Sequence, residues 1–323
     1  MTPLDLAAAG EILQNGGVVV IPTETVYGLA ARADRPDAVA KIFNVKGRPS
    51  NDPLIVHIAD LEQLPLVAAE IPHEAWELAG RFWPGPLTLV LPKSSVIPDS
   101  VTAKLPTVAV RLPDHSIARD VIRSARFPLA APSANLFGQT SPTRTTDLHP
   151  ALIEKIDGYL EGGSCQVGVE STIIGFFPQQ PPLLLRPGGV PLEEIEEVIG
   201  PVAPLAQAKV QTPLAPGNLP SHYAPETPLY FVDAILDEVK KELVQGASIC
   251  RLTFGQESED VAGKMIAELN LSYESDLQEA ARNLYKMMIE LDRRKARYII
   301  VDRVPAIGLG RAICDRLERA AAR

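Results

Sequence analysis

The apolar residues of the chain recur at two spacings, one typical of helices and the other of short strands. Leu4, Ala8 and Ile12 are spaced as on one face of a helix and predict a helix over Pro3–Asn15. The short apolar run Val18–Pro22 predicts a strand directly after it. The chain therefore begins with a helix followed by a strand.

Further elements of both kinds follow along the first 200 residues. The predicted helices are Asp37–Asn44, His73–Phe82, Ser116–Arg126, Ile153–Tyr159 and Leu192–Ile199. The predicted strands are Leu54–Ile58, Leu87–Leu91, Val108–Arg111, Leu129–Ala131, Ser171–Phe176 and Leu183–Arg186. Short strands mixed with helices favour an α/β or α+β domain built around one twisted sheet.

Strands and helices alternate more regularly after residue 228. The predicted order is strand Thr227–Val232, helix Ala234–Val244, strand Ser248–Thr253, helix Asp276–Lys295, strand Tyr298–Val301 and helix Ile307–Arg323. Such alternation predicts a small parallel α/β unit. Between the two parts, residues 200–228 hold seven prolines, which are typical of an extended linker. We therefore expect a first domain over 1–205, a linker over 206–228 and a second domain over 229–323.

Composition and charge exclude several classes of protein. The net charge is −9, whereas tight nucleic-acid binders usually carry a basic excess. No window approaches the roughly 18 consecutive apolar residues of a membrane helix, and residues 1–9 lack the basic region of a signal peptide. The three cysteines form no CxxC pair. These features predict a cytoplasmic location, with no contact to a membrane.

Polar residues follow the first strand as a compact cluster. The stretch 22–29, PTETVYGL, places three hydroxyl groups and a carboxylate within five residues at the end of a strand. Binding residues favour such loops on a rigid scaffold. A solvated turn that happens to be polar is the alternative.

A second candidate is the cationic turn Lys46-Gly47-Arg48. Two cations separated by one residue suit a polyphosphate, and Gly47 would let the backbone approach it closely. His57, at the end of a predicted strand, is more often a structural residue than a ligand.

Other polar residues end or follow predicted strands. Ser133 and Asn135 lie in a turn of small residues, where backbone N–H groups can form an anion-binding nest or serve ordinary capping. Arg111 and Arg186 end apolar strands, where a salt bridge or an anionic ligand would satisfy them. There is no P-loop, dinucleotide fingerprint, HExxH, GxSxG or zinc spacing. An enzyme of this sequence would therefore rely on orientation and charge neutralisation, with no bound metal of its own.

Taken together, the motifs resemble those of threonylcarbamoyl-AMP synthases in their long, two-domain form. The matching stretches, in the same order, are IPTETVYGLAA (21–31), KIFNVKGRPSNDPLIVHI (41–58), RFWPGPLTLVL (81–91), VAVRLPDH (108–115), APSANLFGQTSPT (131–143), VGVESTI (167–173), LLRPGGV (184–190) and SHYAP (221–225). The resemblance implies an α/β fold: a catalytic domain with an open twisted mixed sheet and a concave cavity, followed by a small Rossmann-like C-terminal domain.

The resemblance also implies a reaction. Enzymes of this family condense L-threonine, bicarbonate and ATP into L-threonylcarbamoyl-adenylate and release pyrophosphate. A separate threonylcarbamoyl transferase complex then modifies tRNA. Mg²⁺ would arrive with ATP, since it is usually held by substrate phosphates. A weak RNA contact is conceivable on the same surface.

Carried over motif by motif, the resemblance assigns two sets of site residues. Lys46 and Arg48 would be catalytic and hold the ATP phosphates. The remaining ATP contacts would come from Asp52, Thr107, Ala131, Ser133, Asn135, Ser141, Arg186 and Tyr223. L-threonine would be held by Thr25, His57, Arg111 and Ser171.

Two positions carry further expectations. The family has Asn directly before the Pro of NPLIVH, where this chain has Asp52, and a carboxylate near phosphates would repel ATP unless it binds Mg²⁺ or the ribose. Tyr223, in the segment 213–228, is expected to fold over the nucleotide as part of a lid. The alternative is that it packs on the small domain and fixes its geometry.

Two other functions compete with the synthase. One is a double-stranded-RNA-binding module without catalysis, which the acidic charge disfavours. The other is a relative of carbamoyltransferases that uses carbamoyl phosphate and does not need L-threonine.

Overall fold

The computed structural model describes residues 2–204, 223–256 and 260–322. These residues form two compact units, one made of 2–137 and 142–204 and the other of 138–141 and 223–322. The predicted linker 206–228 lies mostly outside the described residues, so its boundaries stay a prediction.

The first unit contains a mixed sheet of ten strands covered by helices. Its strands are β1 (Val19–Ile21), β2 (Gly28–Arg32), β3 (Ile55–His57), β4 (Leu87–Pro92), β5 (Thr107–Arg111), β6 (Leu129–Ala130), β7 (Gly158–Tyr159), β8 (Thr172–Gly175), β9 (Leu183–Arg186) and β10 (Ala203–Pro204). Its α-helices are α1 (Leu6–Gln14), α2 (Pro36–Lys46), α3 (Leu64–Val67), α4 (His73–Phe82), α5 (Asp99–Thr102), α6 (Ser116–Ala125), α7 (Pro150–Ile153) and α8 (Leu192–Ile199). Two 3-10 turns, Leu61–Gln63 and Thr145–Asp147, join them.

The sheet runs in the order β10-β9-β8-β4-β5-β3-β6-β2-β1-β7. The sheet contains both parallel pairs, such as β3 with β5, and antiparallel pairs, such as β4 with β5. Both faces are covered, because successive residues of β1 enter different cores: Val20 packs with the core that includes α2 and α4, whereas Val19 and Ile21 pack with α1 and α6. Burial on both faces explains why these strands read as continuous apolar runs.

The second unit is a smaller layer of four parallel strands. Its elements are β11 (Leu229–Phe231), a 3-10 turn (Val232–Ala234), α9 (Asp237–Val244), β12 (Ser248–Thr253), β13 (Lys264–Asn270), α10 (Leu277–Arg293), β14 (Tyr298–Val301) and α11 (Gly310–Ala321). The strand order is β11-β14-β12-β13, and every pair is parallel. The predicted fold class, a mixed-sheet α/β domain with a small parallel α/β unit, is confirmed.

Sequence periodicity did not identify strands β2, β10 and β13 or the short helices α3 and α5, and it misplaced one helix. Strand β2 was not predicted, because Gly28–Arg32 holds small residues and none that are β-branched. Strand β13 was also missed. The helix predicted over Ile153–Tyr159 is wrong, because the helical turn ends at Ile153 and β7 follows. In the described ranges, no helix is long and apolar enough to cross a membrane.

Candidate functional site

The polar loop after β1 is a buried, internally bonded turn. The Thr23 hydroxyl donates to the carbonyl of Val26 at 2.6 Å and accepts from the N–H groups of Thr25 and Val26 at 3.2 Å. The two threonine hydroxyls lie 2.9 Å apart. Thr23, Glu24 and Thr25 are all buried. The alternative of a solvated turn is therefore wrong, and the loop is a rigid part of the unit.

Arg111, the last residue of β5, connects this loop to the sheet. Its guanidinium donates from Nη1 to the Thr25 hydroxyl at 2.9 Å and from Nε to the Gly85 carbonyl at 3.2 Å. Its Nη2 lies 2.6 Å from Oε1 of Glu24, a buried ion pair. Sequence reasoning noted the carboxylate of this loop but did not choose Glu24 as a site residue. The sequence feature that could have identified Glu24 is its position as the one carboxylate in an otherwise uncharged loop after a strand.

His57 lies beside Arg111 because β3 and β5 are parallel neighbours. The two residues are partners in the strand register, which brings together positions 54 apart in the chain. Burial, together with the positive charge of Arg111, lowers the pKa of His57 to about 3. The imidazole is therefore neutral at physiological pH, and it can act as a hydrogen-bond donor or acceptor but not as a cation. That both side chains contact L-threonine remains a prediction.

Ser171 contacts Arg186 at the start of β8. The Arg186 guanidinium donates to the Ser171 carbonyl from Nε at 3.2 Å and from Nη2 at 2.9 Å, and to its hydroxyl at 3.2 Å. The same hydroxyl lies 2.7 Å from that of Thr88. The structure thus places a residue assigned to threonine directly against one assigned to ATP.

Lys46 ends α2 and points into the protein. Its ammonium group donates to the backbone carbonyls of Ser133 and Asn135, each at 2.6 Å, and approaches the Asn135 side-chain oxygen at 3.4 Å. Burial, reinforced by the positive charge of Arg48, lowers the pKa of Lys46 well below its ordinary value. The lysine therefore holds the 133–135 turn against the end of α2.

The backbone conformation at position 47 favours glycine. It ends α2 with φ at 63°, in the left-handed region that favours glycine. An added Cβ would meet nothing within 4 Å. That Gly47 lets the backbone approach a polyphosphate closely stays a prediction; in the structure the residue turns the chain at the end of α2, directly before Arg48.

Arg48 and Asp52 form a buried ion pair. Nη2 of Arg48 lies 2.9 Å from a carboxylate oxygen of Asp52, and the same nitrogen donates to the Pro53 carbonyl at 2.9 Å. The side chains are 3% and 1% exposed. Burial raises the pKa of Asp52, although the Arg48 charge opposes this. The carboxylate of Asp52, which stands where the family has asparagine, is thus paired with Arg48, the residue assigned to the ATP phosphates.

The turn after β6 is bonded to the strand-end loop on its other side. The N–H of Ala134 donates to the Tyr27 carbonyl and that of Ala131 to the Ile55 carbonyl. These two N–H groups are used within the protein, so they cannot contribute to the anion nest considered for this turn. The side chains of Ser133 and Asn135 are hydrogen-bonded to each other.

The three remaining assigned residues are Thr107 in the first unit and Ser141 and Tyr223 in the second. Thr107 begins β5, four residues before Arg111, so roughly 13 Å of strand separates their Cα atoms. Ser141 and Tyr223 belong to the second unit, where the N–H of Ala224 donates to the Gly138 carbonyl at 2.9 Å. Ser221 and His222, expected in the lid, lie outside the described residues.

Comparisons with known proteins decide the family. A family model described as "Telomere recombination" matches residues 11–188, and one described as "Threonylcarbamoyl-AMP synthase, C-terminal domain" matches 190–322. The threonylcarbamoyl-AMP synthase of Pyrococcus abyssi is 44% identical over 320 residues, which span 97% of this chain and 92% of the relative. The chain belongs to the threonylcarbamoyl-AMP synthase family. The family resemblance drawn from the motifs is confirmed.

Two further comparisons agree with this family. The threonylcarbamoyl-AMP synthase of Bacillus subtilis is 41% identical over 321 residues, covering 98% of this chain and 92% of the relative. The crystal structure of Pyrococcus abyssi Sua5 complexed with L-threonine matches with a TM-score of 0.86 and 41% identity, covering 98% of this chain and 94% of that one. A threonylcarbamoyl-AMP synthase is thus similar to this chain over both units.

Proposed function

We propose that this protein makes L-threonylcarbamoyl-adenylate from L-threonine, bicarbonate and ATP and releases pyrophosphate. The near full-length similarity to threonylcarbamoyl-AMP synthases carries the proposal. The buried cluster of Arg111, Thr25 and His57 supports it, because a guanidinium fork matches a carboxylate.

The proposed reaction needs positioning more than covalent chemistry. The threonine amine attacks CO₂ derived from bicarbonate, which forms an N–C bond and, after loss of a proton, N-carboxythreonine. The new carboxylate then attacks the α-phosphorus of ATP, and the bond to pyrophosphate breaks. Lys46 and Arg48 are the residues we propose to neutralise phosphate charge during this step. Orientation and electrostatic stabilisation supply most of the catalysis in such transfers.

The remaining ATP contacts follow from the same proposal. Asp52, Thr107, Ala131, Ser133, Asn135, Ser141, Arg186 and Tyr223 are assigned to ATP. Thr25, His57, Arg111 and Ser171 are assigned to L-threonine. Mg²⁺ would enter with the ATP phosphates as part of the substrate. In the described parts of the chain, no group of three or more His, Cys, Asp or Glu side chains is placed to hold a metal.

The product implies partners and a compartment. A mixed anhydride of this kind must be passed to an acceptor before water destroys it. We propose that a tRNA-modifying threonylcarbamoyl transferase complex in the cytoplasm takes it. Any direct contact with RNA would be weak, since the net charge is −9. The comparisons do not favour the RNA-binding module, because the relatives carry an enzyme's name.

One assay tests the proposal against its competitors. The protein is incubated with ATP, bicarbonate and L-threonine, pyrophosphate is measured, and the adenylate is sought by mass spectrometry. Omission of L-threonine should abolish both products. Turnover with carbamoyl phosphate in the absence of threonine, or RNA binding that falls steeply with salt and no adenylate, would contradict the synthase.

A further inference from the structure

Glu24 is a buried carboxylate whose hydrogen-bonding capacity is not used inside the described protein. Its side chain is 6% exposed. Neither carboxylate oxygen has a hydrogen-bond donor among the described residues, and the same is true of the Arg111 Nη2 that lies 2.6 Å from Oε1. The ion pair is thus close but poorly aligned. Buried polar groups normally find partners, so such a set of atoms requires an explanation.

The surroundings of Glu24 hold it in place. The N–H of Val167 donates to the Glu24 carbonyl at 2.7 Å, and the flanking Thr23 and Thr25 are fixed by their mutual hydroxyl contact. Arg111 is fixed by Thr25 and the Gly85 carbonyl through Nη1 and Nε, which leaves Nη2 as the nitrogen turned to Glu24. A preorganised anion therefore lies beside a preorganised cation.

This pair matches the charges of a free α-amino acid. An α-ammonium and an α-carboxylate are attached to the same carbon, so a protein that binds both needs an acidic and a basic group side by side. His57, the strand neighbour of Arg111, is neutral and adds no charge to the Glu24–Arg111 pair. Charge-assisted hydrogen bonds to both ends would satisfy the atoms that lack partners.

We propose that the Glu24 carboxylate binds the α-ammonium group of L-threonine while Arg111 binds its α-carboxylate. This assignment rests on the proposed function and adds a residue to its threonine site. It also gives the amine a place next to a proton acceptor before it attacks CO₂. The Thr25 hydroxyl, already bonded to Arg111, keeps the guanidinium oriented for the carboxylate.

The competing role for Glu24 is structural: it would only neutralise the buried Arg111. The two roles differ in one measurable respect. Loss of a structural partner of Arg111 weakens every ligand that carries a carboxylate. Loss of an ammonium partner weakens only ligands that carry an ammonium group.

The test compares L-threonine with 2,3-dihydroxybutanoate, which keeps the carboxylate and side chain but has a hydroxyl in place of the ammonium. Binding of both to the wild-type protein is measured by titration calorimetry without ATP. We expect L-threonine to bind tighter by about tenfold or more, as for a charge-assisted hydrogen bond. Equal affinities in the wild-type protein would overturn the proposal without any variant.

Two variants complete the test. Glu24→Gln should bring the affinity ratio of the two ligands close to one, whereas Glu24→Asp, which keeps the charge, should retain part of it. An unchanged ratio in Glu24→Gln, with both ligands equally weakened, would assign Glu24 the structural role. Circular dichroism checks the fold, and if Glu24→Gln does not fold, the wild-type ratio and the Asp variant decide.

The outcomes also separate this inference from the proposed function. A wild-type protein that binds no L-threonine, with or without ATP, contradicts the proposed function. A wild-type protein that binds L-threonine and forms the adenylate, but does not discriminate against the dihydroxy acid, contradicts only the role of Glu24.

Discussion

Two of the buried charged pairs inside the first unit lie at the ends of strands and helices. Arg48 lies against Asp52 and Arg111 against Glu24, all nearly inaccessible to solvent. A buried ion pair is a weak source of stability, because desolvation offsets the attraction, but removal of one partner leaves a costly isolated charge. We therefore propose that these two pairs serve the binding of substrates more than the stability of the fold.

The Arg48–Asp52 pair allows stability to be separated from activity. Arg48→Ala should lower the unfolding free energy by about 3 kcal/mol, because it leaves Asp52 buried without its cation. The double variant Arg48→Ala, Asp52→Asn should recover most of that loss, since the amide carries no charge. Urea denaturation measures both changes.

Activity should respond differently in the same two proteins. Pyrophosphate release should fall on the order of tenfold or more in both, because each lacks the guanidinium proposed to hold phosphate. Asp52→Asn alone is the matched control: although Asp52 is assigned to ATP, this variant should stay active, because asparagine is the residue that the family has before this proline. Recovery of turnover together with stability in the double variant would remove Arg48 from the phosphate site.

His57 provides a prediction for the pH dependence of stability. Its pKa is about 3 in the folded protein and about 6.5 when unfolded, so between these values the unfolded chain binds more protons. Stability is therefore lost as pH falls below 6.5, and His57 alone contributes about 2 kcal/mol of that loss between pH 7 and pH 5.

Paired variants isolate this contribution. His57→Gln cannot titrate, so its unfolding free energy should decline less between pH 7 and pH 5 by about that amount. His73→Gln removes a histidine whose side chain is 84% exposed and should leave the decline as in the wild type. Identical pH slopes for wild type and His57→Gln, from urea denaturation, would show that His57 is not buried as a neutral base.

At the scale of elements, the turn after α2 sets the position of Arg48. Gly47 adopts φ 63° with free space around it, whereas Gly80 lies on the exposed side of α4 in ordinary helical backbone, also with nothing within 4 Å. Replacing each glycine by alanine should thus change the stability of the protein in opposite directions. Gly47→Ala should destabilise by about 1 kcal/mol through the left-handed backbone, and Gly80→Ala should stabilise by about 0.5–1 kcal/mol.

Urea denaturation of the two alanine variants provides the measurement. A shift of the same sign in both would show that backbone conformation does not distinguish the two glycines.

Elements with a strong local signal could be predicted, and those defined by their neighbours could not. Helix α4 and strand β9 match the predicted ranges, because α4 has apolar residues at helical spacing, β9 is a short apolar run, and turn residues follow both. Strand β2 consists of small residues and is a strand because β1 and β6 pair with it on either side. Strand β13 holds only exposed and half-buried residues, and among the described strands it pairs with β12 alone.

The site shows the same division between local and tertiary information. Residue types at strand ends indicated Arg111 and the loop that holds Thr25, whereas His57 was assigned through the family resemblance; the register of β3 with β5 brings Arg111 and His57 together. The partner of Arg111 could not be inferred, since Glu24 lies 87 positions earlier and no local pattern links them. The inward orientation of the Lys46 side chain could not be inferred either, because its hydrogen-bond acceptors are carbonyls of a turn that is distant in the sequence.

At the scale of the whole molecule, the open question is what Tyr223 does. In the second unit it is 2% exposed, its ring centroid lies 6.0 Å from that of Tyr285, and the guanidinium carbon of Arg316 lies 4.9 Å from its ring centroid. These contacts are the ones expected if it packs on the small domain. They do not test the proposal that it also reaches the nucleotide.

Two leucine variants distinguish these roles. Tyr223→Leu and Tyr285→Leu each break the same aromatic pair and leave an apolar side chain, so both should lower the melting temperature of the second unit, Tyr223→Leu by more because it also loses the contact with Arg316. If Tyr223 also covers the nucleotide, only Tyr223→Leu should weaken ATP binding in calorimetry, because a tyrosine offers the nucleotide a flat face and a hydroxyl that leucine lacks. We expect that difference, of about tenfold. Equal ATP affinities in the two variants would limit Tyr223 to packing, and the ATP site would then be assigned to the remaining residues.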